Sequence, residues 1–472
     1  MDRCRGGWAL IALLVLAAAC SGGGGNPTCS NEGGVAPGGG AWPVSRHDPQ
    51  NSGRIDAQIS GSVPAVKWVF PTDGAKGSFI TAPALSADGT RLYVGSLDAV
   101  LYALNTATGE LDSTFSDNFF AAFPSPTTRI TGAPGIDSSG KIFVGTEATL
   151  LAFNADGSLY RTVSMGGITT AITFAFNVTT QPVLNGTLYL GTETTASTGF
   201  LPAVCANGIS RWTFGADPVA SPPAIGPDGT IYFASVSSLH PFLRAIDPIH
   251  ARVQWTFGAA APIAAPPVLE VDDTTSPPTL RAIYVASVAG QPENAGRLFA
   301  VDPTSGARIN VPTGCDPSST CDPTGAMCCA PFSFAVTTGS DVRAAPALDF
   351  PSPGDGRVHT VYVAGTDGIL YAVDTDSGAT RASFATAGAI NSSPVVARDA
   401  SGATTIIVAS DDGNVYRLID DGTVLTAAWQ FEVPSQNGEP VPFGTASPAI
   451  GSDGTVYIGT SDGHVYAIAS TS

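Results

Sequence analysis

Short apolar runs recur along this chain, each bounded by glycine-containing turns. The clearest unit is Ala446–Ala469, A-S-P-A-I-G-S-D-G-T-V-Y-I-G-T-S-D-G-H-V-Y-A-I-A. Thr455–Gly459 and His464–Ala469 are rich in Val, Ile and Tyr and predict two strands. Ser461-Asp462-Gly463 lies between them, and Asp-Gly supplies the positive φ of a tight hairpin. Asp453-Gly454 turns the chain into the first strand. Apolar residues occupy both faces of each strand, which predicts a sheet covered on both sides. A lone hairpin cannot bury such surface, so neighbours of the same kind are required.

The neighbours are copies. A start of the form Ala/Ser-Pro, a Tyr-Val-Gly-Ser type strand and a Leu-Tyr-Ala type strand return through the sequence. The starts are Ala82-Pro83, Ala133-Pro134, Gln181-Pro182, Ser221-Pro222, Ala265-Pro266, Ala345-Pro346 and Ser393-Pro394, with Ala446–Ala469 as the eighth copy. A further turn follows: Thr108-Gly109, Asp156-Gly157, Asn207-Gly208, Ser305-Gly306, Ser377-Gly378 or Asp421-Gly422. A last strand then carries Trp-x-Phe (Trp212-Thr213-Phe214, Trp255-Thr256-Phe257, Trp429-Gln430-Phe431) or a remnant, Thr114-Phe115 and Ser383-Phe384. Four short strands repeating every roughly 40–50 residues are the signature of propeller blades. Copy eight ends before any Trp-x-Phe strand, while an orphan of that type, Lys67-Trp68-Val69-Phe70, precedes copy one. Pairing the two closes the ring and removes its free edges. The expected fold is all-β: an eight-bladed propeller of four-stranded antiparallel blades over residues 42–472, closed by an N-terminal strand.

These strand pairs, the Thr-Gly…Trp-x-Phe spacing and the lead-in Trp42-Pro-Val-Ser-Arg-His-Asp-Pro-Gln-Asn-Ser-Gly53 resemble the PQQ-like repeat propellers, the quinoprotein-type β-propellers. That family holds pyrroloquinoline-quinone (PQQ) alcohol and sugar dehydrogenases. It also holds non-enzymatic propellers, among them the outer-membrane lipoprotein of the β-barrel assembly machinery. Fold alone does not choose between them. The resemblance implies, for an enzyme, a quinone stacked on a Trp and a calcium site of Glu, Asn and Asp with a catalytic Asp. Trp8 falls in the leader, Trp42 in the lead-in, and Trp68, Trp212, Trp255 and Trp429 in strand positions, which leaves none for a quinone floor. No stretch matches the metal set. Cys328-Cys329 is the one enzyme-like feature, since vicinal disulfides lie beside the quinone in some members. The expectation is therefore a binding or scaffold module with no catalytic, cofactor or metal residues; the alternative is a periplasmic PQQ-dependent dehydrogenase with calcium.

Other chemistry is thin. His47, His240, His250, His359 and His464 are scattered, without H-E-x-x-H, and no G-x-S-x-G marks a nucleophile elbow. Asp374-Thr-Asp376-Ser-Gly378 reads as a hairpin turn, lacking the later Glu of a calcium loop. Asp88, Asp228, Asp412, Asp453 and Asp462 read as turn aspartates.

Residues 1–19 combine Arg3 and Arg5 with an apolar run, Trp8–Ala19, of about 12 residues; that is too short to span a bilayer and fits a signal peptide. Leu16-Ala17-Ala18-Ala19-Cys20 resembles a lipobox. This makes Cys20 the expected lipidated N-terminus, with residues 20–41 as a Gly-rich tether. Ser21 in place of Asp leans towards outer-membrane sorting, facing periplasm or cell surface. Charged residues are only 13% of the chain and the net charge is −18, which argues against nucleic acid. A protein partner, a membrane contact through the lipid only, and a monomeric state are expected. Cys315, Cys321, Cys328 and Cys329 crowd into one insertion, 315–331, whose Gly, Pro, Ser and Thr cannot build a core. In an exported chain two disulfides fit better than zinc. Cys29 and Cys205 remain, as a pair or as free thiols.

Two outcomes are expected. Mass spectrometry of the mature protein finds lipid on Cys20, and Cys20→Ser is neither lipid-modified nor membrane-bound. Thiol titration of the denatured, unreduced protein finds Cys315, Cys321, Cys328 and Cys329 blocked; four free thiols holding one zinc would reverse the assignment.

Overall fold

A computed structural model describes residues 44–471 apart from short stretches, the longest being 176–183, 313–328 and 350–358. Residues 1–43, including Cys20 and Trp42, and most of the cysteine-rich insertion lie outside the described residues. Among those described, no helix is long and apolar enough to cross a membrane.

The chain forms eight antiparallel blades around one axis, and one blade explains the others. In blade 6 the strands Ala347–Asp349, Thr360–Ala364, Ile369–Asp374 and Thr380–Ala385 pair in sequence order from the axis outward. The second strand is buried throughout, because its two faces are covered by the blades on either side. Blades 2, 4 and 7 repeat this order, and blade 5 inserts a small hairpin, Asn310–Pro312 with Cys329–Pro331, before its outer strand.

The ring closes as the orphan strand required. Val63–Phe70 is the outer strand of blade 8 and runs antiparallel to Val465–Thr471, with Trp68 opposite Ala467 and Val69 opposite Tyr466. Phe79 N–H then donates to Thr460 O and Leu97 N–H to Ser78 O, carrying the chain from blade 8 into blade 1. One continuous apolar cluster, including Ile55, Trp68, Phe79, Leu92, Val415, Tyr457 and Ile468, seals this seam.

Two expectations need correction. Thr114-Phe115 is not in a strand: a helix, Ser113–Ala122, takes the place of the outer strand of blade 1, leaving three strands there. Asp112 caps it by accepting Phe115 N–H at 3.0 Å, and Phe115 and Phe119, four apart on one helix face, are buried against Tyr93 and Phe153. Copy three begins earlier than Gln181-Pro182, which lies outside the described residues. Its inner strand is Thr173–Ala175, and Ile172 stands where most blades have proline.

The Trp-x-Phe strands and the Thr-Gly turns prove to be halves of one contact. Trp68 Nε1 donates to Thr106 O of the next blade at 2.9 Å, Trp212 Nε1 to Pro248 O at 2.7 Å, Trp255 Nε1 to Pro303 O at 2.8 Å, and Trp429 Nε1 to Ser470 Oγ at 2.9 Å. The indoles of Trp68, Trp212 and Trp255 also pack on the second-strand tyrosine of their own blade, with ring centroids 5.7–5.8 Å apart. The turn glycine must be bare: a Cβ on Gly109 or Gly306 would stand 2.6 Å from the Trp68 or Trp255 ring. Blades 8, 3, 4 and 7 are thereby clipped to the blade that follows, two of the four clips closing on a turn glycine.

Trp68 clips the closure point, so its loss is expected to weaken the ring at its seam. Trp68→Ala should cost about 3–5 kcal/mol in denaturant unfolding. Trp68→Phe, which keeps most of the packing and loses the hydrogen bond, should cost nearer 1–2 kcal/mol. A Trp68→Phe cost near zero would show that the indole N–H contributes nothing.

Candidate functional site

Seven of the eight inner strands are preceded by proline: Pro83, Pro134, Pro223, Pro267, Pro346, Pro394 and Pro448. The inner edge of each blade faces the axis, where a strand would otherwise present unpaired N–H groups. Proline has no N–H, so at this level the prolines offer the axis carbonyls only.

The lead-in lies against the axis-facing strands of blades 4–7. Pro49 O accepts Ile225 N–H of blade 4, Gln50 O accepts Leu269 N–H of blade 5, Ser52 O accepts Leu348 N–H of blade 6, and Gly53 O accepts Val396 N–H of blade 7, all at 2.8–3.1 Å. Five residues thus serve four successive blades. Two side chains reach the proline carbonyls. Asn51 Nδ2 donates to Pro223 O at 3.3 Å and Pro267 O at 3.1 Å; Arg46 Nη1 donates to Pro394 O at 2.7 Å and Nη2 to Pro346 O. The segment then continues as Arg54–Gln58, parallel to the inner strand of blade 7.

This loop is held in an uncommon conformation. Arg46, His47 and Asn51 have φ of 66°, 75° and 56°, in the left-handed region that non-glycine residues rarely adopt. Asp48 fixes the turn by accepting Ser52 N–H at 3.0 Å and the Ser52 hydroxyl, while Gly53 N–H returns to Arg46 O. A Cβ on Gly53 would lie 2.2 Å from Arg46 Nη2. Arg46 is 3% exposed, and burial lowers its guanidinium to about 10, against the raising effect of Asp48. The Asp-x-x-Asn-x-Gly pattern was the visible trace of this plug; nothing in it specifies which blades it meets.

A second polar cluster lies at the end of the ring that carries the turns within blades, here the turn face. Buried Glu270 accepts Tyr284 Oη–H at 2.9 Å and faces His359 Nδ1 at 3.4 Å and Arg281 Nη1 at 3.6 Å. The hydrogen bond with Glu270 raises His359 above its ordinary value, and burial, with Glu270 beside it, raises the Tyr284 phenol. Between blades 6 and 7, Asp420 accepts Tyr362 Oη–H at 2.6 Å and both Arg381 Nη groups, and Asp349 pairs with Arg398 at 2.6 Å. These pairs hold adjacent blades together.

The residues singled out from the sequence are dispersed. The turn aspartates do local work: Asp88, Asp228, Asp412 and Asp453 each accept the backbone N–H two residues on, and Asp462 accepts the Thr460 hydroxyl. Asp374 accepts the N–H groups of Asp376 and Ser377 in a hairpin turn. His250 pairs with Asp247 and His464 with Asp462, on different blades. Cys205 is disulfide-bonded. Cys20, Cys315, Cys321 and Cys328 lie outside the described residues; Cys329 is placed by its backbone alone.

A quinone-and-calcium site does not fit the residues described. Trp68, Trp212, Trp255 and Trp429 are committed to clips between blades, and the axis between blades 4 and 7 is taken by residues 46–53. Among the described residues, no three His, Cys, Asp or Glu side chains stand together as a metal set.

Arg46→Ala strips the donors from two buried carbonyls and should cost roughly 3 kcal/mol or more in denaturant unfolding. Gly53→Ala disturbs the same guanidinium, so the double variant should cost clearly less than the sum of the two. Strict additivity would show that Gly53 acts only through its backbone.

Comparison with known proteins agrees with this architecture. Residues 341–472 match the family model described as "Outer membrane protein assembly factor BamB". No curated protein matches the sequence. Among solved structures, the chain is similar to the quinohemoprotein alcohol dehydrogenase from Comamonas testosteroni, with TM-score 0.62 and 14% identity, covering 92% of this chain and 81% of that one. A europium-containing methanol dehydrogenase matches with TM-score 0.58 and 12% identity, over 91% of this chain and 98% of that one. BamB from Moraxella catarrhalis matches with TM-score 0.53 and 14% identity, over 86% of this chain and 100% of that one. At such identities these likenesses establish the fold. In its fold the chain is an eight-bladed β-propeller, and its C-terminal residues 341–472 are similar to the BamB family model.

Proposed function

We propose that the protein is an exported propeller, anchored in the cell envelope by lipid on Cys20, that serves as a protein-binding scaffold and catalyses no reaction. The observation that carries this reading is the plugged axis: Pro49–Gly53 hydrogen-bonds to four blades, and Arg46 and Asn51 bond to their proline carbonyls. The engagement of all four described tryptophans between blades supports it further. A propeller built this way presents rims and loops, which suit a macromolecular partner better than an enclosed small ligand. The match of the C-terminal blades to the BamB description favours an envelope scaffold. The leader-like residues 1–19 and Cys20 favour lipid anchoring over a membrane-spanning segment.

The test is incubation of the purified protein with PQQ and calcium, followed by calorimetry and by dye reduction across a panel of alcohols and aldoses. No saturable binding and no substrate-dependent turnover are expected. One-to-one binding with turnover would make the protein a quinoprotein dehydrogenase. Binding without turnover would make it a quinone sensor or carrier, and both results overturn the scaffold reading.

A further inference from the structure

We propose that the seam between blades 5 and 6 is a pH-dependent latch, closed while the His359 imidazole is protonated against buried Glu270 and loosened when it is neutral. The other seams show how this one differs. Indoles clip blades 8, 3, 4 and 7 to the blade that follows. Between blades 1 and 2 the helix residue Phe115 stands in the clip position, and a Cβ on Gly157 would lie 2.3 Å from Phe115 O. Between blades 2 and 3 Arg161 stands there, and a Cβ on Gly208 would lie 2.4 Å from its Cδ. Between blades 6 and 7 Arg381 pairs with Asp420. None of these contacts changes charge near neutral pH.

Between blades 5 and 6 a histidine makes the charged contact. Thr375 of blade 6 donates its N–H to His359 O at 3.1 Å and its hydroxyl at 3.3 Å, which fixes the histidine backbone on blade 6. The imidazole Nδ1 reaches across the seam to Glu270 Oε1, 3.4 Å away on Val268–Asp272, the inner strand of blade 5. The Glu270 side chain is only 6% exposed. His47, His250 and His464 pair instead with carboxylates of their own turns, and His240 stands 3.9 Å from Asp217 with its side chain largely in solvent.

The groups around the pair set its response. From blade 5, Arg281 Nη1 lies 3.6 Å from the same Oε1 and opposes the imidazolium, while Asp272 interacts favourably with it. From blade 6, Asp376 favours it. Tyr284 donates to Oε2 at 2.9 Å, and burial keeps its phenol neutral through this range. The hydrogen bond with Glu270 outweighs burial and holds His359 above its ordinary 6.5. A histidine raised on folding contributes stability that is fully present below that ordinary value and is lost as pH rises through the higher folded value. Glu270 then still holds Tyr284 Oη–H and faces Arg281, both from its own blade. The seam therefore yields without leaving a buried carboxylate unpartnered, which is the costly outcome when an ion pair is broken. The latch does not depend on the scaffold reading or on a lipid anchor.

The pair is tested on the full-length protein by denaturant unfolding from about pH 5 to about pH 8. Wild type should exceed His359→Gln in stability at the acid end, and the gap should close as pH rises. His359→Lys, a cation throughout, should show no such loss. A gap independent of pH, or a Lys variant that declines with wild type, overturns the latch. The His359 resonance of protein carrying 13C-labelled histidine, assigned by its absence in His359→Gln, should titrate above 6.5 and move down in Glu270→Gln. A midpoint at or below 6.5, or one unmoved by Glu270→Gln, overturns it as well. The seam itself is read by native hydrogen exchange. Protection of Val268–Asp272 and Thr360–Ala364 is divided by that of Ile231–Ala234 in blade 4, which removes the intrinsic pH dependence of exchange. The ratio should fall with rising pH in wild type and stay flat in His359→Gln. A flat ratio in wild type, or an equal fall in the variant, refutes loosening at this seam.

Discussion

Each blade is apolar on both faces, and this one constraint organises the molecule. A four-stranded sheet such as Ala347–Ala385 buries its second strand completely only because another sheet lies on either side of it. Face-to-face burial continues until the last blade meets the first, which leaves no terminal blade exposed. Hydrophobic burial is non-directional, so it does not by itself set the angle between blades. At four of the eight seams the tryptophan clip constrains it. An indole wedged between its own tyrosine and the neighbour's bare turn glycine, with Nε1 on a neighbouring oxygen, admits one arrangement, as in the Trp255–Gly306 contact.

Closure leaves a second problem at the axis, where the inner strands have no further partner. Two devices answer it. The prolines remove donors from the edge, and the lead-in supplies acceptors for Ile225, Leu269, Leu348 and Val396 with donors for four proline carbonyls. An unpaired buried backbone group costs about as much as a lost hydrogen bond, so a segment that looks like a linker becomes part of the core. Burial of the Arg46 guanidinium is tolerated because carbonyl oxygens take the place of water around it. The same segment thereby ties the inner strands of four successive blades to one another.

Much of this was legible in the residues. Short runs apolar on both faces, Asp-Gly turns and the orphan Lys67–Phe70 specify blade number and closure, because turn chemistry and strand propensity act within a few residues of each other. The failures came where local signals were matched but tertiary packing decided. Thr114-Phe115 looks like a worn Trp-x-Phe strand; Asp112 as a cap, with Phe115 and Phe119 one helical turn apart, makes it a helix against Phe153. The inner strand Thr173–Ala175 has no proline before it, so the Ala-Pro signal pointed downstream to Gln181-Pro182.

The sequence by itself determined the repeat, the strand content, the handover from the last copy to the first and the use of aspartates in turns, since each depends on neighbouring residues along the chain. Only the tertiary structure decided that Trp and Gly of different repeats form one contact, that Arg46 and Asn51 sit on the axis, and that Glu270 gathers Tyr284, His359 and Arg281 from two blades. Those partners are up to hundreds of residues apart, as Arg46 and Pro394 are. Their meeting is set by ring geometry, which no local pattern encodes.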